Sequence, residues 1–202
     1  MIQAVLFDYG GVIGDLDRGE MRSLEEKYGL PQGGLFTALY EIPQWREISL
    51  GRGSEQEWLK AVLARLYELA GRPIPGIRRE WPKIWRGLNE DVVSLARKLR
   101  PRYKVGLLTN ATKSLEETLL EHHGIVDLFD VVINSARVGL AKPDVRIFQL
   151  AAERLGVPAS ACVFTDDLAP NVEGARAAGM QAFRFQGAAH LESELRALGV
   201  EW

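Results

Sequence analysis

Four short segments carry side chains able to do chemistry together. The first, Val5-Leu6-Phe7-Asp8-Tyr9-Gly10-Gly11-Val12-Ile13, is an apolar run that stops at one carboxylate and turns on two glycines. An acid at the C-terminal end of a buried strand sits where open α/β folds place their ligands. Glycines there let backbone approach whatever the acid binds or attacks. The second, Gly106-Leu107-Leu108-Thr109-Asn110, closes an apolar run on a hydroxyl and an amide, neutral groups suited to phosphate oxygens. The third, Gly139-Leu140-Ala141-Lys142-Pro143, fixes one positive charge ahead of a proline and a helix-like segment. The fourth, Val163-Phe164-Thr165-Asp166-Asp167, ends in paired carboxylates, and Mg²⁺ takes oxygen ligands. Nucleophile, phosphate clamp, charge neutraliser and metal site make a centre for phosphoryl transfer. Singly, each has a plainer reading. Asp8 caps a turn, Thr109 and Asn110 form a strand-end turn, Lys142 is a surface lysine, and Asp167 caps the next turn. Their joint presence favours the chemistry.

The elements needed to position these groups are legible. Gln3–Phe7, Lys104–Leu108, Val131–Asn134, Ala161–Thr165 and Gln181–Phe185 are apolar runs without clean alternation, the look of strands buried on both faces. Helix-like segments lie between the later ones. Ser114 and Glu117 read as a capping box ahead of Leu119-Leu120, Asp144 to Leu155 repeats apolar residues at helical spacing, and Asn171 to Ala178 is short. Alternation of this kind predicts an α/β fold: a three-layer, Rossmann-like parallel sheet core with right-handed crossovers. In such a sheet the strand ends bearing Asp8, Thr109 and Asp166 share one rim.

The first crossover is abnormal. No good strand is visible from Ile13 to about Arg100, and the pattern is helical over Met21–Tyr28, Leu35–Tyr40, Glu55–Leu69 (opened by a capping box at Ser54 and Glu57) and Asp91–Leu99. A plain crossover needs only about a dozen residues. Residues 15–88 therefore read as an inserted α-helical cap, with residues 1–14 and 89–202 as the core domain. Its tryptophans, Trp45, Trp58, Trp81 and Trp85, read mainly as cap core, one of them a candidate to line the substrate recess, with Trp81 and Trp85 on one helical face. Arg46 and Arg52 could meet an anionic substrate but read by default as solvated surface, as does His190, and His122 and His123 read as a helix end before Gly124.

Composition narrows the partners. A formal net charge of −2 over 202 residues gives no nucleic-acid or membrane signature. The one cysteine, Cys162, cannot form an internal disulfide and reads as a packed small hydrophobe. With no cationic leader and no run near the ~18 residues of a spanning helix, the expectation is a cytoplasmic protein, monomer or homodimer.

The four segments, in this order, resemble the haloacid dehalogenase-like hydrolases, in the branch with a helical cap between the first and second motifs. Asp166-Asp167-Leu168-Ala169-Pro170-Asn171-Val172-Glu173-Gly174-Ala175 and Trp45-Arg46-Glu47-Ile48-Ser49-Leu50-Gly51-Arg52-Gly53-Ser54-Glu55 are similar to that family too. The resemblance implies a Mg²⁺-dependent phosphatase of a small phosphorylated metabolite, a sugar phosphate among the candidates. Asp8 would form an aspartyl-phosphate. Asp8, the Gly10 carbonyl, Asp166 and Asp167 would hold the metal, directly or through water. Thr109, Asn110 and Lys142 would bind the phosphate, with Lys142 also neutralising charge near Asp8. Asn171 reads as a helix cap.

One position departs from the family. Most of its phosphatases carry a second Asp two residues after the nucleophile, as leaving-group acid and then base for water; here that residue is Gly10. Loss of a positioned acid/base costs about 100- to 10,000-fold. The expectation is a leaving group that needs little protonation, such as an anomeric sugar phosphate or an acyl phosphate. Asp15 and Asp17, just past the turn, read as solvated loop residues rather than as the missing acid. Two alternatives stand beside the phosphatase: a 2-haloacid dehalogenase, against which the Asp166-Asp167 pair argues, and a catalytically weak binding or regulatory protein of the same fold.

Overall fold

A computed structural model describes residues 1–118 and 122–202. Its strands, in chain order, are β1 (Ala4–Phe7), β2 (Gly14–Leu16), β3 (Trp85–Leu88), β4 (Lys104–Thr109), β5 (Val131–Asn134), β6 (Cys162–Asp166) and β7 (Gln181–Arg184). Five of them form one parallel sheet in the order β5-β4-β1-β6-β7. The strand run at the N-terminus therefore occupies the centre, flanked by the two strands that bring the second and fourth segments.

Both faces of β1 are buried, as its unbroken apolar run requires. Val5 and Phe7 pack on one side with Val92, Val93, Ala96 and Leu99 of α6 (Glu90–Leu99) and Leu191 and Leu195 of α11 (Ala188–Ala197). Ala4 and Leu6 pack on the other with Ile147, Phe148, Ala151 and Leu155 of α9 (Val145–Leu155) and Val172 and Ala175 of α10 (Ala169–Ala177). Helix, sheet and helix make the three layers that the alternation predicts. Asp144 caps α9 through the Arg146 N–H, and Gly156 ends it in the left-handed region.

Register places the chemistry. Phe7 is paired with Thr165 of β6 and with Leu107 of β4, so Asp8 and Asp166 leave neighbouring strands side by side. Beyond β1 the chain turns through Gly10 and Gly11. Gly11 has φ of +75°, and a Cβ there would lie 2.9 Å from an Asp167 carboxylate oxygen, so only glycine lets the turn come this close.

The insertion is helical, as its pattern indicates: α1 (Arg18–Tyr28), α2 (Gly34–Tyr40), α3 (Pro43–Ser49), α4 (Glu55–Ala70) and α5 (Ile77–Glu80), then a 3₁₀ turn over Trp81–Ile84. The Ser54–Glu57 capping box opens α4 and Gly71 closes it. Met21, Leu24, Leu35, Leu39, Val62, Leu66, Ile77 and Ile84 form an apolar cluster of their own, so these helices do not borrow the core's interior. Two short helices complete the described α-helices, α7 (Leu115–Thr118) and α8 (Ser135–Val138). Leu119-Leu120, expected to follow the Ser114–Glu117 capping box, lie outside the described residues.

Three readings need correction. Strands do occur between Ile13 and Arg100: β2 and β3 pair antiparallel. They are only three and four residues long and mostly half-buried, with few apolar residues in either, so no apolar run announces them. Trp85 is accordingly not on a helical face with Trp81; it opens β3. Asp17 is not a solvated loop acid. It caps α1 by accepting from the Gly19 and Glu20 N–H groups, and it pairs with Arg86.

The close approach of α10 to the loop carrying Lys142 depends on Gly174. A Cβ there would press on the Pro143 carbonyl and come within 2.9 Å of Phe148 Cε2. Gly174→Ala is therefore expected to destabilise the protein by about 1–3 kcal/mol, the usual cost of overpacking, read as a lowered urea midpoint. An unchanged midpoint would show that this contact relaxes freely.

Candidate active site

Asp8, at the end of β1, is buried by its position in the middle of the sheet rim. Its Oδ1 accepts from its neighbour's backbone, Tyr9 N, at 2.7 Å and lies 2.7 Å from Lys142 Nζ. Asp166, the last residue of β6, lies wholly beneath the surface. Its oxygens accept from Leu168 N at 2.8 Å, from Asn171 Nδ2 at 3.0 Å each, and from Lys142 Nζ at 2.6 Å. Asp167 follows, and its Oδ2 accepts from Arg18 of α1 at 2.6 Å. One oxygen from each of Asp8, Asp166 and Asp167 lies within 4.8 Å of the other two.

Lys142 is no surface lysine. It is 5% exposed, its ammonium bridges Asp8 and Asp166, and it also donates to the Leu108 carbonyl at 3.0 Å. Its backbone is clamped from both sides by one amide: Asn110 Nδ2 donates to Lys142 O at 2.9 Å, and Lys142 N donates to Asn110 Oδ1 at 2.8 Å. The Asn110 side chain is thus committed to the lysine loop, leaving its backbone for any anion. Thr109 ends β4, buried but lining the cavity beside Asp8.

Burial dominates the electrostatics. It pushes the Asp8 carboxyl up to about 7 against the pull of Lys142, with the Asp166 charge adding to the rise. Burial likewise raises Asp167, with Asp166 adding to it and Arg18 opposing. For Lys142, burial works to lower the ammonium's pKa, but Asp166 and Asp8 outweigh it and the net direction is upward. Three carboxylates confront one buried ammonium and, at the edge, one largely exposed guanidinium. An all-oxygen donor set with surplus negative charge suits a hard divalent cation, so Asp8, Asp166 and Asp167 fit Mg²⁺.

These groups floor a cavity of about 1170 Å³. Gly10, Thr109, Asn110, Lys142 and Asp167 line it from the core, and Tyr40, Trp45 and Arg46 from the helical insertion. Sequence reasoning missed or misplaced three contributors. Asn171 does not cap α10, whose N-cap is Leu168; it sits inside the first turn and holds both Asp166 oxygens. Arg18 reaches Asp167 from a distant helix, and no local pattern signals it. Trp85 faces the cavity from β3. For Asn171 a signal existed: Pro170 favours the first turn of a helix, which puts the helix start ahead of residue 171.

Removing the ammonium would leave Asp8 and Asp166 buried without their shared counter-charge. Lys142→Met is expected to cost about 3–5 kcal/mol in EDTA, measured by urea denaturation. A loss under about 1 kcal/mol, the range of a solvated pair, would contradict this reading of Lys142.

Comparison with known proteins bears on what such a site does. Residues 2–179 match the haloacid dehalogenase-like hydrolase family. A phosphatase of Mycobacterium tuberculosis is 35% identical over 90% of this chain and 86% of its own length. The fructose-1-phosphate phosphatase of Escherichia coli is 33% identical over 88% of this chain and 93% of its own. A haloacid dehalogenase-like enzyme of Bacteroides thetaiotaomicron, solved with magnesium and inorganic phosphate, superposes with a TM-score of 0.70 at 22% identity, covering 95% of this chain and 99% of that one. That last likeness is one of fold.

Proposed function

The chain belongs to the haloacid dehalogenase-like hydrolase family and is a phosphoric monoester hydrolase, and we propose that it hydrolyses a small phosphorylated metabolite with Mg²⁺, through an aspartyl-phosphate on Asp8. The observation that carries this reading is the carboxylate cluster at one strand rim with Lys142 bridging two of its members. The separate apolar cluster of the insertion supports treating residues 15–88 as a cap domain on a core of residues 1–14 and 89–202.

In this reading the Asp8 oxygen not engaged by Lys142 attacks phosphorus, and the leaving-group oxygen departs with the electron pair. Lys142 opposes the rise that burial imposes on Asp8 and orients its carboxyl, and its charge also attracts the phosphoryl group. Thr109 Oγ1 and the Asn110 N–H donate to phosphoryl oxygens, where backbone and hydroxyl donors stabilise developing charge. Asn171 and the Leu168 N–H fix Asp166, so that the carboxylates do not drift apart under mutual repulsion. Bound at Asp8, Asp166 and Asp167, Mg²⁺ would supply a Lewis acid that offsets the negative charge of the phosphoryl group. Water then attacks phosphorus, freeing phosphate and regenerating Asp8. The cap helices that wall the cavity exclude bulk water during these steps.

Gly10 offers no side chain to protonate a leaving group, which supports substrates whose leaving group departs unaided, an anomeric sugar phosphate or an acyl phosphate among them. The sugar-phosphate activity in the name of the Escherichia coli relative supports a metabolite of that size.

Phosphate release from p-nitrophenyl phosphate is expected to require Mg²⁺, to stop in EDTA, and to fall about a thousandfold or more in Asp8→Asn, as when a nucleophile is removed. Release that is unaffected by EDTA or survives in Asp8→Asn would refute the mechanism. Gly10→Asp is expected to raise turnover of a simple alkyl phosphate about tenfold or more by restoring an acid. No gain would show that protonation does not limit this enzyme.

A further inference from the structure

What faces Gly10 is an indole. A Cβ built on Gly10 would lie 3.7 Å from Trp85 Cη2, an ordinary contact distance. Trp85 is 37% exposed, one of only a few large apolar residues left so open among the described residues. The β2–β3 pairing, with Leu16 opposite Trp85, fixes its backbone beside the turn. The Tyr9 ring lies 6.5 Å away, centroid to centroid, tilted by 32°. The cap contributes a second aromatic surface to the same cavity. Phe36, Tyr40, Trp45 and Trp58 follow one another at centroid spacings of 5.1, 5.1 and 5.8 Å, edge to face between Tyr40 and Trp45 and tilted in the other two pairs. Trp58 is anchored by donating from Nε1 to Leu39 O at 3.0 Å.

Such walls present π-faces and ring edges, and they pair best with another flat ring. A polyol lying on the Trp85 indole face would bring hydroxyls that the ring cannot pair, and burying them unpaired is costly. Aromatic side chains are common in the linings of ligand recesses.

Building on the phosphatase reading, we propose that the leaving portion of the substrate carries an aromatic ring bound against Trp85, so that the substrate class is an aryl phosphate. The chemistry agrees with Gly10. An Asp8 oxygen bonds to phosphorus as the phosphorus–oxygen bond to the ring breaks. The electron pair leaves on the aryloxide, whose charge spreads into the ring, and the proton is taken from water after departure. A water oxygen then bonds to phosphorus, the bond to Asp8 breaks, and inorganic phosphate and the Asp8 carboxylate are restored. The indole beside Gly10 thus seats a leaving group that has no use for the absent acid.

Binding separates this proposal from the reading on which it rests. Phenylphosphonate and methylphosphonate share the anion and differ by the ring. Calorimetry with Mg²⁺ is expected to show phenylphosphonate binding about tenfold or more tightly, the worth of one aromatic stack. Trp85→Ala is expected to erase that preference and Trp85→Phe to keep most of it. Equal affinity of the two phosphonates for the wild-type protein, or a preference that survives Trp85→Ala, would overturn the aryl proposal. Release of phosphate from phenyl phosphate and acetyl phosphate is measured beside it. Failure of wild type on both substrates would sink the phosphatase reading, and the phosphonate comparison would still decide the ring.

Discussion

Everything in this protein is arranged around three carboxylates held within 4.8 Å of one another in a buried place. Like charges that close, away from water, repel strongly, and each also loses hydration. The sheet imposes the proximity. Parallel neighbours lie about 4.8 Å apart, and the register of β1 with β6 leaves Asp8 and Asp166 no other place to go. Lys142 is the counterweight, and the surroundings exist to hold it there. Asn110 locks its backbone, α10 supports its loop through Gly174, and Asn171 and Leu168 hold the Asp166 carboxylate in place. The Asp8 carboxyl is still pushed up to about 7, chiefly by burial. A site with this much unspent negative charge is prepared for a cation, and the cation in turn for a phosphoryl group.

The helical insertion closes the other side of that space. It brings an apolar core of its own, so it can present groups to the cavity without disturbing the sheet. One of those groups reaches the charge cluster directly, Arg18 to Asp167. Others are aromatic, and burial together with the Asp167 charge holds the Tyr40 hydroxyl firmly protonated. The carboxylate cluster and its lysine lie on the sheet side, and most of the rings lie on the cap side beside Glu41, Arg46 and Arg52. That division matches a reaction in which the phosphoryl group sits over the strands and the leaving group lies under the helices.

Much of this was legible in the chain, and the reasons differ by residue. The central strands β1 and β6 are buried on both faces, so Gln3–Phe7 and Ala161–Thr165 stand out without any knowledge of their partners. The four chemical segments sit at strand ends or just before a helix, where local sequence controls position. What escaped depends on contacts between distant parts. Strands β2 and β3 are too short to leave a period, and Trp85 therefore looked helical beside Trp81. Asn171 looked like a cap because the start of α10 was set two residues late. Arg18 carries no local sign of its partner 149 residues away. Helix α3 begins at Pro43, which suits a first turn, yet its seven residues are too few for a clear pattern.

The most direct test of the account is to trap the covalent intermediate. Wild-type protein, Mg²⁺ and phenyl phosphate would be quenched at successive times, reduced with borohydride and digested, and the peptide spanning residue 8 weighed. An acyl phosphate is reduced to the alcohol, so the account predicts homoserine at position 8, dependent on both substrate and Mg²⁺. With only Gly10 where a base for water would stand, this species should build up during turnover. Phosphate released over many turnovers while Asp8 stays unmodified at every quench time would contradict the central role assigned to it.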